Sequence, residues 1–380
     1  MKKSPKVIFH IDMNAFYAQV AIIKDPYLKN EVFVVGGKSV SNRGVITTAS
    51  YKARKYGIKS GMAIAAAQNI YPRLLIVPAD FDFIRKQSNL FFEFLKTYSD
   101  RVLKASIDEA YLDVTKLSET RHPLEIAKEI QDTLNNKYLL PSSIGIAPTL
   151  FLAKMGSDMK KPLGITVIRK KEISDKILPL PISRLFGVGI KTYPLLEKQG
   201  IKTIGDFVLR ENLEKVLKVM KYEHYLNLKA HIYGESSNVV DPTKYEIPKS
   251  ISNETTFNYN IEVYDVLVGE IDLVFNESYQ RLLKENALAK TVSIKLRDSN
   301  FNTITRSKTI NDYSKDYETF KVIVDDLFYE NFNDVPIRLI GVGFSNIILE
   351  SMYEDEYNLF TYQKHLKNKK WYNKKRREQI

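Results

Sequence analysis

Over residues 6–146, short apolar runs alternate with longer amphipathic ones in an order that few folds accommodate. Lys6–Ile11 (KVIFHI) reads as a short buried strand, and a long helix is expected over Phe81–Tyr98. Strands follow at Val102–Ser106 and Ala110–Val114. Leu124–Lys137 has helical periodicity after Pro123, which suits a first-turn position, and Ser142–Ile146 reads as a strand. Strand, helix, strand, strand, helix, strand is the pattern of a ferredoxin-like α+β sheet. A helix at Leu150–Ser157 and a strand at Gly164–Ile168 extend it. Between the first strand and the long helix lie a helix at Asn14–Ile23, strands at Val32–Val35 and Gly44–Thr48, and short helices at Ser50–Tyr56 and Ala63–Ile70. Residues 172–232 read as helical throughout, and GESSNVVDPTKYEIP (234–248) as a linker. Residues 249–347 repeat the alternation and predict a second, smaller α+β domain.

The topology gives three acids a common address. Asp12 ends the first strand, and Ile107-Asp108-Glu109 is expected in a tight turn between two others. A ferredoxin-like sheet sets its central strands side by side, so three carboxylates can converge at one edge. Such a cluster repels itself and is stable mainly when divalent cations sit within it. Paired metals on carboxylates are the arrangement used for phosphoryl transfer. Any one of these acids alone reads as a turn or cap residue; the set carries the argument. The turn Met13–Tyr17, where strand passes into helix, exposes backbone N–H groups suited to a triphosphate. Thr48, Tyr51 and Arg54 share a helical face at i, i+3, i+6 and offer phosphate donors, with Lys161 adding a compact charge.

Charge narrows the partner. The formal net charge is +12, which points to an anionic partner, nucleic acid first. Its distribution is uneven: residues 1–170 carry +11, residues 241–363 carry −9, and KHLKNKKWYNKKRREQI (364–380) carries +7. Zero cysteines exclude a disulfide scaffold, an iron–sulfur centre and a cysteine nucleophile, and fit a reducing, cytoplasmic setting. The five histidines have no pair at metal-ligand spacing, so a structural zinc site is not expected. No run of about 18 apolar residues exists, so no membrane-spanning helix is expected.

Five segments resemble the Y-family (translesion) DNA polymerases, specifically the DinB or DNA polymerase IV branch. They are IDMNAFYAQV (11–20), RGVITTASYKARKYGIKSGM (43–62), ASIDEAYLDVT (105–115), IGIAPTLFLAKMGSDMKKPLG (144–164) and LFGVGIKT (185–192), in family order. The resemblance implies an α+β multidomain chain. Its parts would be a ferredoxin-like palm (1–15 and 81–170), small fingers (16–80), a helical thumb with a helix-hairpin-helix (171–235), a linker (236–248) and a little finger (249–347). A clamp-peptide candidate and basic tail would follow (348–380). It implies error-prone, template-directed addition of dNTPs to a primer 3′-hydroxyl during damage tolerance, by a monomer using two Mg²⁺. Asp12, Asp108 and Glu109 would be the metal carboxylates, with the Met13 carbonyl completing one site. Tyr17, beside Phe16 under the sugar, would be the steric gate; Thr48, Tyr51, Arg54 and Lys161 would hold the β and γ phosphates. Val45, Thr47 and Gly61 would roof the nascent base pair. Met13, Asn14 and Ala15 replace aromatic or acidic residues of some relatives, and only the backbone is needed at Met13.

Two further segments read as DNA-holding. Gly187, Gly189 and Lys191 lie in a Gly-x-Gly hairpin; from that segment alone an αα-corner turn is an equal reading. In KTVSIKLR (290–297), Val292, Ile294 and Leu296 face a core, leaving Thr291, Ser293, Lys295 and Arg297 outward. Thr303, Thr305, Ser307 and Thr309 share one face of the next strand, and the acids of 262–285 and 312–334 fall on expected helices. That predicts a bipolar domain with its sheet on DNA. Glu356–Phe360 keeps Leu359-Phe360 of a sliding-clamp peptide and lacks its Gln; the other reading is a hydrophobic end to the fold. No separate exonuclease carboxylate set is visible, so low fidelity is expected. Rival readings are a UmuC-type polymerase subunit needing protein partners, a nucleotidyl cyclase, and a non-catalytic DNA-binding protein.

Overall fold

A computed structural model describes residues 5–37, 43–333 and 335–353, so Leu359, Phe360 and the basic tail lie outside the described residues. The chain divides into two units, Met1–Tyr245 and Glu246–Ile380. The division falls inside the expected linker, although the start of that linker still packs on the first unit. There Leu150 N donates to the Ser237 carbonyl, and Val240 is buried.

In the first unit, β1 (Ile8–Met13) is buried along its whole length. It is followed by α1 (Phe16–Lys24), β2 (Phe33–Gly36), β3 (Ile46–Ala49), α2 (Tyr51–Arg54), α3 (Ile64–Ile70) and β4 (Leu75–Pro78). Then come α4 (Phe81–Lys96), β5 (Val102–Lys104), β6 (Glu109–Asp113), α5 (Pro123–Asn136), β7 (Ser142–Ala147), α6 (Leu150–Met159) and β8 (Ile165–Val167). The main sheet has the order β5-β6-β1-β7-β8. Its first four strands are antiparallel, the ferredoxin-like arrangement, and β8 is added parallel to β7. One core face holds Phe9, Ile11, Phe91 and Ile130 under α4 and α5.

Two details differ from expectation and both matter at the site. β1 does not stop at Ile11 but carries Asp12 and Met13 as paired residues, and Glu109 is the first residue of β6 rather than part of the turn. The reason is backbone pairing, which continues past the last apolar side chain. A further strand, β4, pairs parallel with β2 at the edge of a small β3-β2-β4 sheet. It is largely exposed, so it lacks the burial pattern that marks a strand in sequence.

Residues 172–232 are not helical throughout. They form short helices, α7 (Ile173–Lys176), α8 (Tyr193–Lys198), α9 (Ile204–Val208), α10 (Leu213–Leu217) and α11 (Tyr222–Ile232), separated by turns at Pro179, Pro181, Gly187 and Gly200. Ile182, Leu196, Ile204 and Phe207 join them in one core with Phe151 and Leu152 of α6.

The second unit consists of β9 (Ser250–Ile261), α12 (Tyr264–Lys284), β10 (Ala287–Asp298), β11 (Thr303–Ser314), α13 (Tyr317–Asn331) and β12 (Ile337–Leu349). Its sheet is antiparallel with order β11-β10-β12-β9, and Phe275, Phe320 and Phe344 pack between sheet and helices. No described helix is long and apolar enough to cross a membrane.

Candidate active site

The three acids meet where β1 and β6 lie side by side. Asp12 and Glu109 are cross-strand partners, and Met13 N donates to the Asp108 carbonyl at 3.0 Å. Asp12 is only 5% exposed. Asp108 accepts from the Ser106 hydroxyl at 2.6 Å.

Helix α6 supplies the counter-charges. Lys154 Nζ lies 3.1 Å from Asp12 Oδ2, 2.9 Å from Glu109 Oε1 and 3.1 Å from Asp158 Oδ2. Beyond the helix, Lys161 Nζ lies 2.6 Å from Asp12 Oδ2 and 2.7 Å from Asp158 Oδ1. Two glycines let α6 come this close. A Cβ on Gly145 of β7 would sit 1.9 Å from the Ala153 carbonyl oxygen, and one on Gly156 would sit 3.1 Å from Gly145 Cα. A second layer lies behind. His10 is fully buried, with Nδ1 2.8 Å from Ser157 Oγ and Nε2 3.6 Å from Glu109 Oε2. Ser157 Oγ also donates to the Lys154 carbonyl at 2.9 Å, so His10 and Ser157 tie α6 to the Glu109 side of the site.

The electrostatics follow from burial and crowding. Burial first, then the hydrogen bond with Glu109, push the Asp12 carboxyl up to about 7, against the pull of Lys161 and Lys154. Burial opposes ionisation at Glu109 too, but His10, Asp12 and Lys154 together hold it well below the usual carboxylate range. Burial raises Asp108, with Ser106 pulling the other way. For Lys154, burial is outweighed by Asp12, Asp158 and Glu109, so its ammonium is held charged.

Oxygen donors of this kind suit a hard divalent cation. An ammonium bridging Asp12 and Glu109 marks where positive charge is wanted. Among the described residues, no three His, Cys, Asp or Glu side chains are gathered tightly enough to hold a metal as they stand. Asp12 and Glu109 are turned to Lys154 and Asp108 to Ser106, so the expected convergence holds for the backbone positions but not for the three side chains together.

The phosphate candidates border this edge. Tyr51 and Arg54 lie on α2, whose N-cap Ser50 accepts from Ala53 N. The Arg54 guanidinium lies over the Tyr51 ring at 4.8 Å, and its Nε donates to the Ala49 carbonyl. Burial raises the Tyr51 phenol, while the charges of Arg54, Lys161 and Asp12 are all felt there, which ties α2 to the carboxylate edge. Thr48 does not share their helical face as expected: it lies on β3, paired with Val35, and is buried, because the helix begins only after the Ser50 cap. Lys161 is presented by a loop that Asn14 fastens: Asn14 Oδ1 accepts from Leu163 N at 2.9 Å, and its Nδ2 donates to Ser143 Oγ at 3.0 Å.

Tyr17 is the second residue of α1, which follows Ala15 in the left-handed region (φ 48°). Its ring meets Phe16 and Phe81 edge-on and borders a cavity of about 860 Å³ lined by Val20, Val35, Val77 and Phe83. Burial and then the charge of Asp108 raise its phenol, so it stands beside the acids. Phe16 is 2% exposed and belongs to the core, so only its backbone can face a substrate. Val45 and Thr47 point outward from the strand whose other face buries Ile46, and Gly61 (φ 82°) pairs its N–H with the Ile46 carbonyl.

Similarity to known proteins agrees with this arrangement. The sequence model of the impB/mucB/samB family matches residues 11–158, and that of the family's C-terminal domain matches residues 248–357. The chain is 37% identical over 363 residues to DNA polymerase IV of Bacillus velezensis, covering 96% of this chain and 87% of the relative. It is 36% identical to DNA polymerase IV 1 of Bacillus subtilis, with 97% and 88% covered. The chain belongs to the Y-family DNA polymerases, in the DNA polymerase IV branch. Among solved structures of the family, a chimera of the polymerases Dbh and Dpo4 superposes with a TM-score of 0.81 at 28% identity, covering 90% of this chain and all of the other. An insertion ternary complex of Dbh DNA polymerase gives 0.64 at 27%, with the same coverage.

Two further surfaces carry expected family positions. Gly187 takes φ 93° and Gly189 accepts from Thr192 N and Tyr193 N, so the Gly-x-Gly turn leads directly into α8 with Lys191 exposed. The element before it is one turn, Ile182–Arg184, shorter than the expected helix. In the second unit, Thr291, Ser293, Lys295 and Arg297 pair with Thr309, Ser307, Thr305 and Thr303 on the strand face opposite the core residues Val292, Ile294 and Leu296. Thr291 is not outward as expected: it is buried, bonded to Thr309 and Asn346. Gly341 and Gly343 of β12 continue that face, where a Cβ would press within 3.1 Å of Glu254 and 2.9 Å of Ser252. Lys295 pairs with Glu254 and Arg297 Nε donates to Thr303 Oγ1. The helices carry Asp265, Glu270, Asp272 and Glu277 on α12 and Glu318, Asp325, Asp326 and Glu330 on α13, so the unit is bipolar.

Sequence reasoning missed Lys154, Asp158, His10 and Ser157 as neighbours of the acids. Only the small residues Gly145 and Gly156, which announce a close helix–strand approach, could have signalled them.

Proposed function

We propose that the β1–β6 edge is the nucleotidyl-transfer site of a DNA-directed DNA polymerase that copies damaged templates. The carrying observation is the pairing of Asp12 with Glu109 beside Asp108, flanked by the donors Tyr51, Arg54 and Lys161. In the reaction the primer 3′-oxygen attacks the α-phosphorus of a dNTP, the bond to the β-phosphate breaks, pyrophosphate leaves, and the hydroxyl proton passes to solvent. Asp12, Asp108, Glu109 and the Met13 carbonyl would hold two Mg²⁺. When bound, these ions supply charge stabilisation at the attacking and leaving oxygens.

The chain's own residues do the rest. Thr48, Tyr51, Arg54 and Lys161 receive the β and γ phosphates, Lys161 leaving Asp12 and Asp158 to do so. The first-turn N–H groups after Ala15, including that of Phe16, face the triphosphate. Tyr17 closes the space under the sugar, and Val45, Thr47 and Gly61 cover the base pair. In this reading the main sheet is the palm, residues 16–80 the fingers, the α7–α11 region the thumb and the second unit the little finger. Gly187, Gly189 and Lys191 hold one phosphate backbone, and the face of Lys295 and Arg297 holds another. Docking of Leu359-Phe360 to a sliding clamp belongs to the proposal on sequence alone. A cyclase has no use for two DNA-holding surfaces, which disfavours that rival.

Primer extension on undamaged and abasic templates tests the reading. Extension opposite both, abolished by EDTA and restored by Mg²⁺, is expected; no extension on either template overturns it.

A further inference from the structure

Lys154 has no assigned part in the reaction above, yet among the described residues its ammonium meets more carboxylates than any other cation. Its side chain is 10% exposed and its ammonium contacts three carboxylates at once, those of Asp12, Glu109 and Asp158. Two of these are proposed metal ligands. The third, Asp158, lies one helical turn along α6, is 40% exposed, and also holds Lys161. Three carboxylates (Asp12, Glu109, Asp158) therefore share two lysines. A buried carboxylate pair without a counter-charge is strongly disfavoured, so something must stand between Asp12 and Glu109 before any divalent ion arrives.

We propose that Lys154 is a displaceable stand-in for the divalent cation and that Asp158 is the carboxylate that retains it on displacement. This rests on the reading of Asp12 and Glu109 as metal ligands. The ammonium keeps the two acids at one spot on the sheet edge, ready-made but not free. When a divalent ion takes their oxygens, Lys154 keeps its contact with Asp158, already made at 3.1 Å, and need not leave the protein for water. Asp158 likewise gives Lys161 a place to wait at 2.7 Å. Lys154 is thus a positioning residue that sets how readily the site loads. Asp158 lowers the barrier to loading without touching the metal.

The proposal makes opposite predictions for two neighbouring residues, which a merely structural role does not. Mn²⁺ binding to the full chain, without DNA or nucleotide, is measured by electron paramagnetic resonance titration, with melting temperature recorded with and without Mn²⁺. Lys154→Met removes the competitor: Mn²⁺ binds roughly three- to tenfold more tightly, as expected for one charge in a partly solvated site. The metal-free variant melts lower, and Mn²⁺ restores more of its stability than in the wild type. Asp158→Asn removes the waiting place, and Mn²⁺ binds more weakly by a similar factor. The double variant follows Lys154→Met, and Lys154→Arg stays near the wild type.

Unchanged affinities, or changes of the same sign in the two single variants, overturn the proposal. If Lys154→Met fails to fold, the weaker binding of Asp158→Asn and its absence in Asp158→Glu decide the matter. Asp12→Asn separates this from the underlying reading. If the wild type binds Mn²⁺ and Asp12→Asn binds it equally well, the metal site itself is wrongly placed. If Asp12→Asn abolishes binding while Lys154→Met leaves it unaltered, only the stand-in role fails.

Discussion

Asp12 and Glu109 face each other across two paired strands and both lean on the single ammonium of Lys154, at 3.1 and 2.9 Å. That relationship depends on how closely a helix approaches a sheet, and the approach depends on Gly145.

Gly145→Ala should therefore disable the site from outside it. The added Cβ would fall 1.9 Å from the Ala153 carbonyl oxygen and 2.5 Å from Ser157 N, so α6 must move. Overpacking of this kind costs about 1–3 kcal/mol, and it carries Lys154 and Ser157 away from the acids. The denaturation midpoint falls and primer extension is lost. Gly189→Ala, where a Cβ meets nothing within 4 Å, leaves the midpoint in place.

Asn14 acts on the phosphate side. Its amide joins Leu163 N to Ser143 Oγ and so fixes the loop that presents Lys161. Asn14→Ala leaves those groups unpaired, at about 1–3 kcal/mol. The KM for dNTP rises while affinity for primer–template DNA, measured by fluorescence anisotropy, is unchanged.

Metal loading should depend on pH in one direction. Burial and the Glu109 contact push Asp12 up to about 7, above its unfolded value near 4. The protonated form is thus favoured by folding. Its contribution to metal-free stability is complete below about 4 and is lost as pH rises through about 7. A cation must displace that proton, so Mn²⁺ affinity climbs by up to tenfold per unit below about 7 and levels off above it. Titration across that range checks this, and a flat profile would contradict it.

Tyr17 packs between Phe16 and Phe81 with Asp108 close by. Tyr17→Ala should open space for a 2′-hydroxyl and raise ribonucleotide use relative to deoxynucleotide by on the order of a hundredfold. Single-nucleotide insertion rates with matched pairs of substrates report it.

Much of this was legible in sequence because burial writes a period into it. Apolar runs at β1, β6 and β7 disclosed the ferredoxin-like order, and the outward Ser293, Lys295 and Arg297 followed from alternation on β10, whereas Thr291 is buried beneath Thr309 and Asn346. Lys154 was not legible. Helix α6 is buried from Phe151 to Ser157, so no polar face marks its orientation, and a lysine there looks like any solvated one. Edge strand β4 was missed for the opposite reason, since it is too exposed to carry a pattern. The extension of β1 through Asp12 and Met13 is set by pairing with Glu109 and Ser142, which only the folded partner strands reveal.

The central claim is that carboxylates at this edge carry the chemistry. Asp108 is the acid least involved in the lysine network, accepting instead from Ser106, so its removal disturbs the fold least. The most direct measurement is single-turnover primer extension by Asp108→Ala, with DNA affinity determined on the same preparation. Loss of extension with DNA binding retained is the predicted result; extension at the wild-type rate would contradict the account.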